Sequence, residues 1–157
     1  MRMMRNLIAS ETGASIIELA LVAPFLAALV VVVSDLSGAY SMKLRLEQVS
    51  QRTLERLQQM SSPADPANQA TIASEGATAA TDAGYSGASV AVTYTNYCNG
   101  ALQTNYTDTC TSGQTQMKYV NVTIGSSYTP MFSNTYFPNR NSNGSVNLTG
   151  VAGMRVQ

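Results

Sequence analysis

TGASIIELALVAPFLAALVVVVSDL, residues Thr12 to Leu36, is the stretch on which the fold turns. From Ile16 to Val33 only Glu18 is ionisable and only Pro24 disfavours a helix. As a helix rising 1.5 Å per residue this run spans about 27 Å, close to the roughly 30 Å hydrocarbon core of a bilayer. It predicts a membrane-inserted helix. Pro24 fits that prediction, because neighbouring groups re-satisfy a broken backbone bond inside a membrane. Glu18 is the anomaly. A carboxylate is costly in such a segment, less so near the interface. Either Glu18 sits at headgroup level, or it is kept because something neutralises it.

The residues upstream, MRMMRNLIASETG, carry Arg2 and Arg5 and end in Gly13. A cut after Gly13 would make Ala14 the first residue and Glu18 the fifth. The new α-ammonium would then open the apolar helix. In a helical assembly, that ammonium on one subunit meets the carboxylate of a neighbour, and both charges are compensated only in the packed polymer. Glu18 then sets register.

Gly-x-x-x-x-Glu at the mouth of an apolar helix, behind a short basic leader, resembles the type IV pilin signature. The fuller string GASIIELALVAPFLAALVVVV resembles the TadE-like pseudopilins, minor pilins of tight-adherence pili. Gly13, Glu18, Ala20, Leu21, Val22 and Pro24 match the family pattern. Leu19 departs from it, since the family usually has Phe or Tyr there. The resemblance implies that a prepilin peptidase cuts between Gly13 and Ala14, with Glu18 and Pro24 serving assembly. It also implies a single-pass protein of the bacterial inner membrane whose C-terminal domain lies outside the cytoplasm. That protein would join a pilus with major and minor pilin subunits and support surface attachment. The charge flanks are nearly silent on orientation: the leader has two bases and the twenty positions after Val33 have three.

Three other readings share the same residues. A pseudopilin of a type II secretion or DNA-uptake machine uses the same helix, though such proteins more often begin with Phe than with a residue like Ala14. An unprocessed single-pass anchor carrying a binding module is another. Ser37-Gly38-Ala39 also offers a small-x-small site for ordinary signal peptidase, which would release a soluble domain. The apolar run is longer than a usual signal core, and Glu18 interrupts it.

Composition narrows the function classes. The chain has 157 residues, 11% of them charged, and a net charge of zero. Soluble domains typically carry roughly 25% charged residues. Beyond residue 60 the only bases are Lys118, Arg140 and Arg155. No basic stripe exists there to grip a phosphate backbone, which argues against nucleic-acid binding. There is no His, so the commonest general base near neutral pH and the commonest zinc ligand are both missing. No spacing joins a nucleophile to a base, and the reading is of a non-enzyme without cofactor or metal.

The helical pattern continues past the membrane segment. Met42, Leu46, Val49, Leu57 and Met60 fall on one face if Thr53 fills the gap. One helix from about Ala14 to Met60 is expected, about 70 Å long. Ser61-Ser62-Pro63 ends it. Asp65-Pro66 then starts, and Gly84 stops, either a short helix faced by Ala70, Ala73, Ala77 and Ala80 or a flexible linker.

From Ser86 the period becomes two. Val90, Val92 and Tyr94 mark one strand, and Val120, Val122 and Ile124 a second. Val146 and Leu148 start a third, continuing to Val156 with Gly150 and Gly153 as bulges. Cys98 and Cys110 lie between the first two strands. In an exported protein they form one disulfide; in a cytosolic one they are free thiols. Seven of the eight Tyr lie between Tyr85 and Tyr136, suited to sheet packing or to an adhesive surface. YTPMFSNTYFPNRNSNG, Tyr128 to Gly144, is expected to be a loop.

The expected fold is α+β and pilin-like: a long N-terminal helix with a small C-terminal antiparallel β domain. Its parts are a leader (1–13), a transmembrane or pilus-core helix (14–35), an amphipathic continuation (36–60), an Ala-rich helix or linker (61–85) and a β domain (86–157).

Overall fold

In the computed structural model, a single helix, α1, runs from Glu11 to Gln58 without interruption at Pro24 or Gly38. The structure describes residues 11–60, 62–63, 65–131 and 140–156. Most of the leader (1–10) and the central part of the Tyr128–Gly144 loop (132–139) lie outside the described residues. α1 begins before the expected Ala14 and ends two residues short of Met60.

The face predicted for the distal half of α1 is the packed one. Met42, Leu46, Val49, Thr53 and Leu57 are all buried, and so are Asp35, Ala39, Ser50 and Leu54. Thr53 fills its gap by bonding the Val49 carbonyl with its hydroxyl at 2.9 Å, which hides the polar atom from the core. α1 closes through short turns, with the Gln59 and Met60 amides reaching the Arg56 and Leu57 carbonyls at 3.1 Å.

Asp65 then accepts from the Ala67 amide at 2.9 Å, capping a single 3-10 turn over Pro66–Asn68. That turn leads into α2, Gln69–Asp82, so the Ala-rich segment is a helix and not a linker. Gly84, with φ 91°, and Tyr85 end it by returning their amides to Thr81 and Ala80 at 2.9 and 2.8 Å. The face of α2 differs from the expected one. Ile72, Gly76 and Ala80 are buried, with Ala73 partly so, whereas Ala70 and Ala77 are exposed. Ile72 decides the rotation. It is the one large aliphatic residue in the segment, and burying it removes more apolar area from water than burying two alanines.

Four strands follow: β1 Ser89–Cys98, β2 Ala101–Leu102, β3 Gln116–Tyr128 and β4 Val146–Arg155. They form one sheet in the order β2-β1-β3-β4, antiparallel throughout. The fold is therefore α+β, as the two hydrophobic periods require. The short β2 is only two residues long and carries no alternation that a sequence period could reveal.

β3 and β4 pair in unbroken register from Tyr119↔Arg155 to Tyr128↔Val146. Gly150 and Gly153 are therefore not bulges. Gly150 is the place where α1 crosses the sheet. A Cβ there would lie 2.2 Å from the Leu46 carbonyl carbon and 2.3 Å from the Glu47 nitrogen, so only glycine lets the helix backbone come this close. At Gly153 an added Cβ would meet the Asn121 side chain instead.

The core lies between helices and sheet. Met42, Leu46, Val49, Leu54 and Leu57 of α1 and Ile72 and Ala80 of α2 meet Val92, Val120, Val122 and Ile124. Leu148, Ala152 and Met154 close its β4 side. Among the described residues, no helix covers the opposite face of the sheet.

Candidate functional site

The residues singled out by the sequence occupy two distant places. Gly13, Ala14, Glu18 and Pro24 all lie on the first turns of α1. Ala14 and Glu18 are four positions, about 6 Å, apart along the helix. Glu18 is exposed, flanked by exposed Ile17 and Leu19, and has no hydrogen-bond or ion-pair partner among the described residues. From Ser15 to Ser34 not one residue is buried. The apolar window has a mean hydropathy of 2.8 with none of it covered by the rest of the chain. α1 is thus long and apolar enough to cross a membrane, and from Ser15 to Val30 every residue is exposed with respect to the described residues.

The transition is abrupt. Asp35, next after Ser34, is 5% exposed. Its carboxylate accepts from the Met131 amide at 2.9 Å, and its carbonyl accepts from the Tyr128 hydroxyl at 3.1 Å. Gly38 makes room for that phenol, since a Cβ would lie 2.6 Å from the Tyr128 oxygen. Burial, and after it the Asp35 charge, raises the Tyr128 phenol above its ordinary value of 10.0. The end of β3 and the start of the following loop are therefore clamped to α1 where the apolar run stops. The sequence concealed this junction: an acid at the end of an apolar run reads as a solvated flank, and Tyr128 and Met131 lie more than ninety positions away.

Cys98 and Cys110 are at the β1–β3 end of the sheet, joined as a disulfide with Cα atoms 5.5 Å apart. Cys98 ends β1, and Cys110 lies in the connection between β2 and β3. The same connection is pinned by the Asn96 and Gln116 side-chain amides, which both donate to the Asp108 carbonyl, at 2.8 and 2.9 Å. The bond is structural clamping of a polar loop. Among the described residues no group of three or more Cys, Asp or Glu is placed to hold a metal ion.

The tyrosines divide between two roles. Tyr85, Tyr94 and Tyr128 pack against the core. Tyr94 meets Tyr106 edge-on at 5.2 Å, and Lys118 Nζ sits 4.9 Å from the Tyr106 ring centre. Burial raises both phenols; Tyr106 and Asp65 add to it at Tyr94, and Asp65 at Tyr106. Tyr97 and Tyr119 instead pair edge-on at 5.8 Å on the uncovered face of the sheet. With Thr95, Met117 and Asn121 they line an open cleft of about 370 Å³ there.

The chain matches no known family model, no curated protein and no solved structure.

Proposed function

We propose that this chain is a prepilin-type membrane protein, a TadE-like minor or initiating subunit of a tight-adherence pilus, whose work is assembly and not catalysis. The observation that carries the reading is the division of α1. From Ser15 to Ser34 it is an exposed apolar rod whose one carboxylate is Glu18, five positions after Gly13. Its second half is the spine of a small α+β domain.

A bare rod of this kind needs an apolar neighbour. Before assembly the inner membrane supplies it; in the pilus, the helices of other subunits do. A prepilin peptidase cuts between Gly13 and Ala14, and the freed α-ammonium of one subunit pairs with Glu18 of the next. Pro24 keeps its place in the rod because packed neighbours satisfy the backbone around it. The domain lies outside the cytoplasm, where a disulfide such as Cys98–Cys110 persists.

N-terminal sequencing of the mature protein from its native membrane tests the reading. A start at Ala14 supports it. A start at Met1 overturns it in favour of an unprocessed anchor, and a start at Tyr40 in favour of a secreted domain. Recovery of the processed chain in the sheared pilus fraction separates a pilus from a secretion or DNA-uptake machine.

A further inference from the structure

Resting on the reading of α1 as a membrane helix, we infer that the outer surface of the bilayer meets the chain at Tyr40–Lys43 and not at Asp35, and that Thr129–Met131 is seated in the phospholipid headgroup layer.

Length raises the problem. If Glu18 and Asp35 both had to stay outside hydrocarbon, the rod between them would be about 26 Å long, short of a core of roughly 30 Å, and any tilt would shorten it further. The structure removes the second constraint. Asp35 is 5% exposed, and its carboxylate is bonded to the Met131 amide. A carboxylate screened and hydrogen-bonded by protein does not require water at its level. With Asp35 covered, no exposed charge interrupts α1 from Leu19 to Met42. The distance from Glu18 to Lys43 is about 38 Å, which spans the hydrocarbon and reaches the headgroups on the far side.

The surface chemistry of this extension suits lipid. Leu36 and Tyr40, 60% and 63% exposed, continue the apolar stripe one turn apart, away from the domain. Tyr is a residue of the membrane–water interface. Lys43 and Arg45 follow, both exposed, before the next acid after Asp35, Glu47. They are placed to meet lipid phosphates. Ser34, the exposed polar residue next to Asp35, returns its hydroxyl to the Val30 carbonyl at 2.8 Å. Met131 is 81% exposed on a segment tied at the level of Asp35. At that level, the inner edge of the headgroup layer, an outward-facing Met is unfavourable in water and favourable where the acyl chains begin.

The test uses the full chain in liposomes of phosphatidylcholine and phosphatidylglycerol, at low protein-to-lipid ratio. An environment-sensitive fluorophore is placed singly through Leu26→Cys, Leu36→Cys, Met131→Cys and Gln51→Cys, all exposed positions. Labels at Leu26, Leu36 and Met131 should be quenched by a lipid-borne quencher several-fold more than the label at Gln51, which should respond to aqueous iodide. Iodide quenching at Leu36 and Met131 with lipid quenching retained at Leu26 would overturn this inference and leave the membrane helix standing. Iodide quenching at Leu26 as well would overturn the membrane reading itself. Shielding of Leu36 from both quenchers, rising with protein-to-lipid ratio, would overturn it in favour of contact between copies.

Discussion

Ser50 and Gly150, one hundred positions apart, are joined at the centre of the domain: the Ser50 hydroxyl donates to the Gly150 carbonyl at 3.0 Å. The same hydroxyl is 3.0 Å from the Leu46 carbonyl of its own helix. A small polar residue on α1 thus faces a strand residue with no side chain, and the two backbones come together. This contact fixes how α1 sits on β4.

Gly150→Ala should be among the most damaging single changes in the domain. The added methyl meets the Leu46–Glu47 backbone, which cannot rotate aside. Overpacking typically costs about 1–3 kcal/mol, and a clash with backbone belongs at or above the top of that range. Ser50→Ala should cost only about 1 kcal/mol, since Gly150 keeps its place in the ladder. Thermal unfolding of the two variants checks the order, and equal loss would contradict it.

Removing the disulfide with Cys98→Ala and Cys110→Ala together should lower stability by about 2–3 kcal/mol, the loop-closure contribution for a loop of this length. The Asn96, Gln116 and Asp108 contacts hold the connection in part, so the sheet should persist. Denaturant unfolding of the variant, and of the parent with and without reductant, measures it. A variant as stable as the oxidised parent would show that the bond contributes nothing.

Stability should fall as pH rises above about 10. Burial and neighbouring groups raise the phenols of Tyr94, Tyr106 and Tyr128 above the ordinary 10.0. The unfolded chain then loses these protons first, so at high pH it binds fewer protons than the folded chain. Their contribution is fully present below pH 10 and is lost as pH climbs through the folded values. Absorbance titration of tyrosinate, together with unfolding at several pH values, reads both effects. A flat stability curve across this range would refute the assignment.

Glu18→Ala should leave membrane insertion intact and reduce incorporation into pili. Glu18 is the one acid between Ser15 and Ser34, and removing it eases insertion. In the polymer, the neighbouring ammonium loses its counter-charge. Membrane fractionation and the sheared pilus fraction report the two steps separately. Unchanged incorporation would remove the pairing role.

Local pattern was enough to read much of this protein. The run from Ile16 to Val33 declares an apolar helix from consecutive residues alone. The stripe Met42, Leu46, Val49, Thr53, Leu57 has helical period, and Val120, Val122, Ile124 has strand period. Burial follows both, because each period places those side chains on one side of its own element. Glu18 stood out from sequence alone because its neighbours are apolar.

What the sequence by itself determined was therefore the elements, the α+β class and the one anomalous charge. Tertiary structure decided where the elements touch. Gly150 read as a bulge because nothing near it in the chain shows that α1 passes over it. α2 turned Ile72, Gly76 and Ala80 inward, and not the Ala70–Ala77 face, because the large residue buries more area once a surface is there to receive it. Asp35 read as the edge of the membrane segment until Tyr128 and Met131 closed on it. Each of these depends on partners distant in the chain, and contacts of that kind have no period to read.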